Sequence, residues 1–332
     1  MSESVRNTKH ARNGELEQLL ADLARDLAVG SDRPPAAADG PARPTVFLVG
    51  NARSGTTLAM QWLAAGGAFT YPTNLVSRFP TAPWVGERIL RMLTDPTCDH
   101  RGELTLGADA RPEPWTSDLG KTKGLLEPHE FWYWWRRFLP DAPVAEPEVD
   151  EAGMRRELAA WEAVGDKPLL MKGLIADWCL PWLARVLPGA LFIHVIREPV
   201  CIMGSLLKVR REFYGDESDW YSFRPPQYDQ LRHLRPVDQV AGQVWHTRQA
   251  VTDALEAMPA QRSFTLAYEE LCAAPGEVHG RLTRWLAVHG VDGWERVGPD
   301  FFPCRDADVA ADPRHGELTA AWDRMSGAPQ RA

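Results

Sequence analysis

Arg53, Ser54, Thr56 and Thr57 lie in one short stretch, Gly50-Asn-Ala-Arg-Ser-Gly55-Thr56-Thr57, which follows the apolar run Thr45 to Gly50 and leads into good helix formers from Thr57 to Ala65. A strand feeding a glycine-bounded loop at a helix N-terminus aims several backbone N–H groups at one point, where the helix dipole also favours an anion. The Gly50 to Gly55 spacing matches that of ATP-binding phosphate loops, but Thr56 stands where those loops carry the lysine that reaches the β- and γ-phosphates. Arg53 supplies positive charge from within the loop instead. Two turn glycines at a strand-to-helix corner would explain Gly50 and Gly55, but not the Arg-Ser-Gly-Thr-Thr run around them.

A second anion seat is expected at Arg197. It ends the buried run Ala190 to Ile196, Pro199 is suited to open a helix, and Ser205 follows about two turns later. The carboxyl end of a parallel strand is where open α/β sheets bind ligands, and guanidinium plus hydroxyl suits a phosphate. The alternative is a surface ion pair between Arg197 and Glu198.

Acid–base groups concentrate in Glu127-Pro128-His129-Glu130, which opens an aromatic segment expected to be helical from Phe131 to Phe138. Phe131, Trp134, Trp135 and Phe138 then share one face, which reads as core, with Glu130 satisfying N-terminal N–H groups. A carboxylate or imidazole beside such a wall is expected to titrate nearer neutrality, which suits a general base. Glu130 is the first candidate, His129 the second and Glu127 the third. Lys172 ends the run Pro168 to Lys172, where solvating a strand end is explanation enough from position alone. Asn74, Ser77 and Arg78 are weaker candidates, and His194, inside an apolar strand, reads as a satisfied core histidine.

With these motifs in order, the chain resembles the PAPS-dependent sulfotransferase superfamily, PAPS being 3'-phosphoadenosine 5'-phosphosulfate. Residues 50 to 58 are similar to its 5'-phosphosulfate loop in the Arg-Ser-Gly-Thr-Thr form of tyrosylprotein and many bacterial members. Phe192 to Ser205 is similar to its 3'-phosphate motif, and Tyr268-Glu269-Glu270-Leu271 to its Tyr-Glu-Asp-Leu stretch. The resemblance implies that Arg53, Ser54, Gly55, Thr56 and Thr57 hold the phosphosulfate, that Arg197 and Ser205 read the 3'-phosphate, and that Tyr268 lies near the adenine. It further implies that Lys172 serves the bridging oxygen and that no metal is required. The Arg-Lys-Gly loop of cytosolic members has no match here, so what closes over the nucleotide is left open. The rival readings are a P-loop kinase, disfavoured by Thr56, and a non-catalytic nucleotide-binding protein of the same fold, disfavoured by the retained Arg53, Lys172, Arg197 and Ser205.

The elements that must position these residues follow from the pattern. Apolar runs at Thr45–Gly50, Pro168–Lys172, Ala190–Ile196 and Ser263–Tyr268 read as buried strands. They alternate with helices such as Val237 to Met258, whose apolar residues recur at three- and four-residue steps. This predicts an open, three-layer, parallel α/β sheet of P-loop type with helices on both faces. Residues 1–44 read as a short helix and a Pro/Ala-rich linker, and 45–332 as a single domain. Its Trp- and Pro-rich segment, about 67–166, is read as an insertion covering the acceptor site. Fourteen tryptophans lean toward an aromatic, glycosylated or polyketide-like small-molecule acceptor. The net charge of −8 argues against general nucleic-acid binding. Five scattered cysteines, without a Cys-x-x-Cys pair, read as buried thiols of a reducing compartment. With no apolar run approaching a membrane span, a cytoplasmic location is expected.

Overall fold

Four short runs rich in branched and aromatic apolar residues form one parallel sheet. They are β1 (Thr45–Val49), β2 (Leu169–Lys172), β3 (Ala190–Ile196) and β4 (Ser263–Ala267), in the order β2-β1-β3-β4. The computed structural model describes residues 14–30, 38–98, 115–140, 143–306, 309 and 311–327. Every residue of β1 and β2 is buried, as expected of a parallel sheet covered on both faces. Successive residues alternate between two cores. Val46 and Leu48 join Leu170, Ile193 and Leu266 on one side, while Phe47 and Val49 join Met171, Phe192 and four buried tryptophans on the other. Burying each such large apolar side chain contributes roughly 2–3 kcal/mol.

The helices described are α1 (Gly14–Gly30), α2 (Thr56–Ala65), α3 (Pro83–Thr94), α4 (Trp132–Trp135), α5 (Glu151–Gly165), α6 (Leu180–Val186), α7 (Pro199–Tyr214), α8 (Tyr228–Leu231), α9 (Pro236–Glu256), α10 (Tyr268–Ala273), α11 (Pro275–Val288) and α12 (His315–Ser326). Their ends follow local chemistry. Pro199 and Pro236 open α7 and α9 where a missing N–H costs nothing, and Gly215 closes α7 with a left-handed φ of 81°. Asp150 caps α5 by accepting from the Gly153 N–H at 2.7 Å. In α9, Val237, Val240, Val244, Val251 and Leu255 are buried as the spacing predicts.

The expected Phe131–Phe138 helix is corrected: regular helix covers only α4. Phe131 is left-handed, with φ 56°, and its N–H donates to His129 Nδ1 at 2.9 Å, so the chain enters through a tight bend. The aromatic stripe is nevertheless core: Phe131, Trp134, Trp135 and Phe138 are all buried. The expectation of five buried cysteines also needs correction, because Cys98 and Cys304 are exposed. Of the Pro/Ala-rich stretch 31–44, residues 31–37 lie outside the described residues. Its end is tied to α5, where the Glu162 carboxylate accepts from the Ala42 and Arg43 N–H groups at 2.7 and 2.9 Å.

The strand order decides where a ligand can sit. From β1 the chain passes to β2 on one side and then returns to β3 on the other, so the loops after β1 and β3 diverge and open a crevice at their carboxyl ends. Gly50 begins the loop after β1, and Arg197 follows β3.

Candidate active site

The loop between β1 and α2 needs its glycines. Gly50 has φ 120°, and a Cβ there would stand 2.7 Å from the Val195 carbonyl oxygen. Gly55 has φ 96°, and a Cβ would meet the Tyr268 ring at 2.3 Å. Arg53 also takes a left-handed φ of 72°, a local strain of the kind concentrated at functional loops. The entry is fixed by the Gly50 N–H, which donates to Asp177 Oδ1 at 3.2 Å. Burial raises the Asp177 carboxyl well above the ordinary range. Gly55 is the N-cap of α2 and brings no side-chain cap, so the first-turn N–H groups are available to a ligand. The Ser54 hydroxyl is buried and has no hydrogen-bond partner among the described residues. An unpartnered hydroxyl, free N–H groups and Arg53 together fit the terminal oxygens of a phosphate or sulfate.

The second seat adjoins the first. Arg197 Nη1 donates to the Arg53 carbonyl oxygen at 2.9 Å, and Arg53 Nε donates to Ser205 Oγ at 3.0 Å. Because Ile196 pairs with Ala267 in the β3–β4 register, Arg197 emerges abreast of Tyr268, and its guanidinium lies 4.5 Å from that ring's centre. The pairing with Glu198 considered from sequence does not form. Arg197 Nε instead donates to Asp306 Oδ1 at 2.7 Å, while the Glu198 N–H donates to Glu269 at 2.7 Å. Burial, with repulsion from Arg197 and Arg305, lowers the Arg53 pKa against the pull of Tyr221 and Glu130.

Acid–base groups meet across the sheet end. Lys172 Nζ donates to Thr57 Oγ1 at 2.7 Å and to Glu130 Oε1 at 3.0 Å, and the Trp132 indole donates to Glu130 Oε2 at 2.6 Å. Thr57 Oγ1 in turn donates to the Gly120 carbonyl oxygen at 3.3 Å. The expectation that an apolar wall raises the base's pKa is corrected for Glu130. Burial does push it up, but the Lys172 charge and hydrogen bond, with the Trp132 indole, hold it below the ordinary carboxylate value. Glu130 also does not cap α4 as expected, because Lys172 and Trp132 claim both its oxygens. His129 moves away from neutrality as well, to about 4, because burial outweighs the attraction of Glu130.

The other candidates are held in structure. Glu127 accepts from Gln61 Nε2 at 2.8 Å, Asn74 Nδ2 donates to the Gly124 carbonyl oxygen at 2.7 Å, and Ser77 Oγ donates to the Asn74 carbonyl oxygen at 2.8 Å. Backbone bonds from Asn74 to Glu127 and from His129 to Pro72 pin the two segments side by side. Arg78 lies near enough to His129 to depress its pKa. His194 is buried as expected but not satisfied: its Nε2 has no partner among the described residues, and burial drives its pKa to about 4.

Sequence reading missed Asp177, Asp306 and Arg305. The latter two follow an irregular stretch, with Arg305 in a turn and Asp306 helical, and are placed against the site by the Arg305 N–H donating to Tyr268 Oη at 3.3 Å. The only sequence signal was the lack of a match for the family's closing loop.

A parallel sheet whose switch point carries a glycine-bounded loop and, touching it, a second arginine defines a P-loop-like α/β protein. The sulfotransferase family model matches residues 44–293, and the chain belongs to this family. The omega-hydroxy-beta-dihydromenaquinone-9 sulfotransferase Stf3 of Mycobacterium bovis and that of Mycobacterium tuberculosis are each 23% identical to it over 266 residues. The match covers 76% of this chain and 64% of those curated relatives' length. Among solved structures, sulfotransferase STF9 from Mycobacterium avium aligns with TM-score 0.54 and 16% identity, covering 99% of this chain and 80% of that one. Sulfotransferase STF1 from Mycobacterium tuberculosis aligns with TM-score 0.51 and 14% identity, covering 93% and 81%. The two structures share the fold.

Proposed function

We propose that the chain transfers a sulfuryl group from PAPS to a hydroxyl or amine of a small or medium-sized acceptor by in-line displacement. The observation that carries this reading is the contact between the two anion seats, Arg197 Nη1 to the Arg53 carbonyl oxygen, beside the Lys172–Glu130 pair. One nucleotide bearing phosphates at both ends of its ribose fits such paired seats. When bound, PAPS supplies an activated sulfuryl group. Ser54, Gly55, Thr56 and Thr57 would hold the phosphosulfate end, and Arg197 and Ser205 the 3'-phosphate. The Tyr268 ring lies beneath Arg197 and edges Gly55, within the same seat.

The residues divide the remaining work. Arg53, the α2 N–H groups and Lys172 Nζ offset negative charge that develops on the bridging oxygen. Glu130, ionised because Lys172 holds its pKa down, takes the proton from the acceptor at Oε1 or Oε2. His129, neutral at physiological pH, is the second candidate for that step. The half-buried Trp132 and Phe223, with ring centres 5.1 Å apart, form an aromatic wall next to Glu130. This favours a flat or apolar acceptor carrying a hydroxyl, a class that includes the quinone derivative in the curated relatives' name.

The reading includes residues 45–332 as one domain, with residues of the 67–166 segment beside the acceptor. It also includes a cytoplasmic location, supported by five unpaired thiols. No helix among the described residues is long and apolar enough to cross a membrane. The test is paired. Adenosine 3',5'-bisphosphate must stabilise the protein in a thermal-shift assay more than ADP does, and radiolabelled PAPS must yield labelled product with a metabolite extract. Preference for ADP favours a kinase. Binding without turnover favours a non-catalytic role.

A further inference from the structure

The pair between Arg197 and Asp306 is at odds with a phosphate-reading role unless it opens. All three nitrogens of Arg197 are engaged: Nε and Nη2 with Asp306 Oδ1, at 2.7 and 2.5 Å, and Nη1 with the Arg53 carbonyl oxygen. The pair is largely out of water, with Arg197 at 8% and Asp306 at 18% side-chain exposure. Asp306 thus stands where an anionic ligand of Arg197 would stand. Asp306 also interacts with Cys201 and Cys304, and backbone hydrogen bonds tie its segment to the sheet end. The Phe302 N–H donates to the Cys272 carbonyl oxygen at 2.8 Å, and the Arg305 N–H donates to Tyr268 Oη at 3.3 Å.

We propose that Asp306 is an intramolecular competitor for the 3'-phosphate seat, displaced when the nucleotide binds and returning to Arg197 to speed release of the spent nucleotide. This rests on the donor reading above, since only a 3'-phosphorylated nucleotide needs Arg197. The physical argument is a contest of like charges. A phosphate and a carboxylate brought to one guanidinium in a half-desolvated site repel each other, so a nucleotide claiming Arg197 must move Asp306 or tolerate its charge. Either way Asp306 weakens binding of the 3'-phosphate. A nucleotide with a 3'-hydroxyl leaves the pair intact. Spent donor, adenosine 3',5'-bisphosphate, keeps both phosphates after transfer, so it would leave slowly from two arginine seats without a competing group.

Asp306 therefore acts against a 3'-phosphate at Arg197, and its removal changes affinity and release of the 3'-phosphorylated nucleotide alone. The experiment is calorimetric titration of wild type, Asp306→Asn and Asp306→Ala with adenosine 3',5'-bisphosphate and with adenosine 5'-monophosphate. The stopped-flow release rate of the bisphosphate is measured alongside. Both variants should bind the bisphosphate about tenfold more tightly and release it correspondingly more slowly, with the monophosphate changed by less than about twofold. Unchanged or weaker bisphosphate binding in Asp306→Asn would overturn the proposal, since it would mean that Asp306 only holds Arg197 in place. Equal gains for both nucleotides would overturn it too. A wild-type protein with no preference for the bisphosphate over the monophosphate would instead sink the donor reading itself.

Discussion

Arg197 reaches across the crevice to donate a hydrogen bond to the backbone carbonyl oxygen of Arg53, 144 residues away in sequence, at 2.9 Å. The tip of β3 thus braces the strained loop that follows β1. In the proposed reading, an anion at Arg197 and one at the α2 N-terminus would be coupled through this bond and through the Arg53–Ser205 contact. Arg197→Lys should accordingly lose the planar fork that serves the loop carbonyl and an anion together. Adenosine 3',5'-bisphosphate should bind at least about tenfold more weakly, with a smaller loss for adenosine 5'-monophosphate. Titration calorimetry reads both, and an equal loss for the two nucleotides would contradict the assignment of Arg197 to the 3'-phosphate.

Glu130 and Lys172 give a kinetic test with a defined sign. In Glu130→Gln the proposed proton acceptor is gone but the size is kept, so kcat should fall by about 10²- to 10⁴-fold with little change in bisphosphate affinity. In wild type, Glu130 titrates below its ordinary value, so its basic form persists as pH falls through the usual carboxylate range. Lys172→Met removes the opposing charge and leaves burial, which acts upward. The acid limb of the rate profile should then shift to higher pH. A limb that stays in place would show that Glu130 is not the group titrating.

Gly55 is set against Tyr268 closely enough that geometry alone makes a prediction. Gly55→Ala combines a φ of 96° with a Cβ 2.3 Å from a ring atom. It should destabilise the fold by more than about 1 kcal/mol and weaken nucleotide binding, because the ring must shift beneath Arg197. Chemical denaturation gives the first effect and calorimetry the second.

The buried histidines predict acid sensitivity. His129 and His194 each titrate near 4 in the folded chain, against 6.5 when free. Between those values the unfolded state binds more protons, so stability is complete above about pH 6.5 and falls toward pH 4. Each group contributes on the order of 3 kcal/mol to that loss. Urea unfolding at pH 7.5 and 4.5 measures it, and His194→Asn should flatten the slope. An unchanged slope would mean that His194 is protonated in the folded state.

Much of the scaffold is legible in local sequence. The strand β3 spans the run Ala190–Ile196 as read, and the other strands differ only at their ends. The strands β1 to β3 are legible because a buried parallel strand must be a continuous apolar run, whereas β4, also read as buried, is an edge strand in which only Leu266 is buried. The anion loop is legible for a similar reason: glycine positions, helix start and charged loop residue all fall within a few consecutive residues. Phe131 to Phe138 was harder. Its spacing fits a helix, but the left-handed backbone of Phe131 and the His129 contact at its entry cut the helix short, and neither follows from periodicity.

The sequence by itself determined the parallel α/β class, the glycine-bounded loop after β1 and the place of Arg197 at the end of β3, since each is written in neighbouring residues whose backbone preferences add up locally. Only the tertiary structure decided that Glu130 sits on Lys172, 42 residues away, and that Asp306 occupies Arg197 from 109 residues away. Those pairings set the protonation of the candidate base and the freedom of the second anion seat. They depend on distances between charges in partly dry surroundings, and such distances exist only once the sheet order and the covering segments have brought remote parts of the chain together.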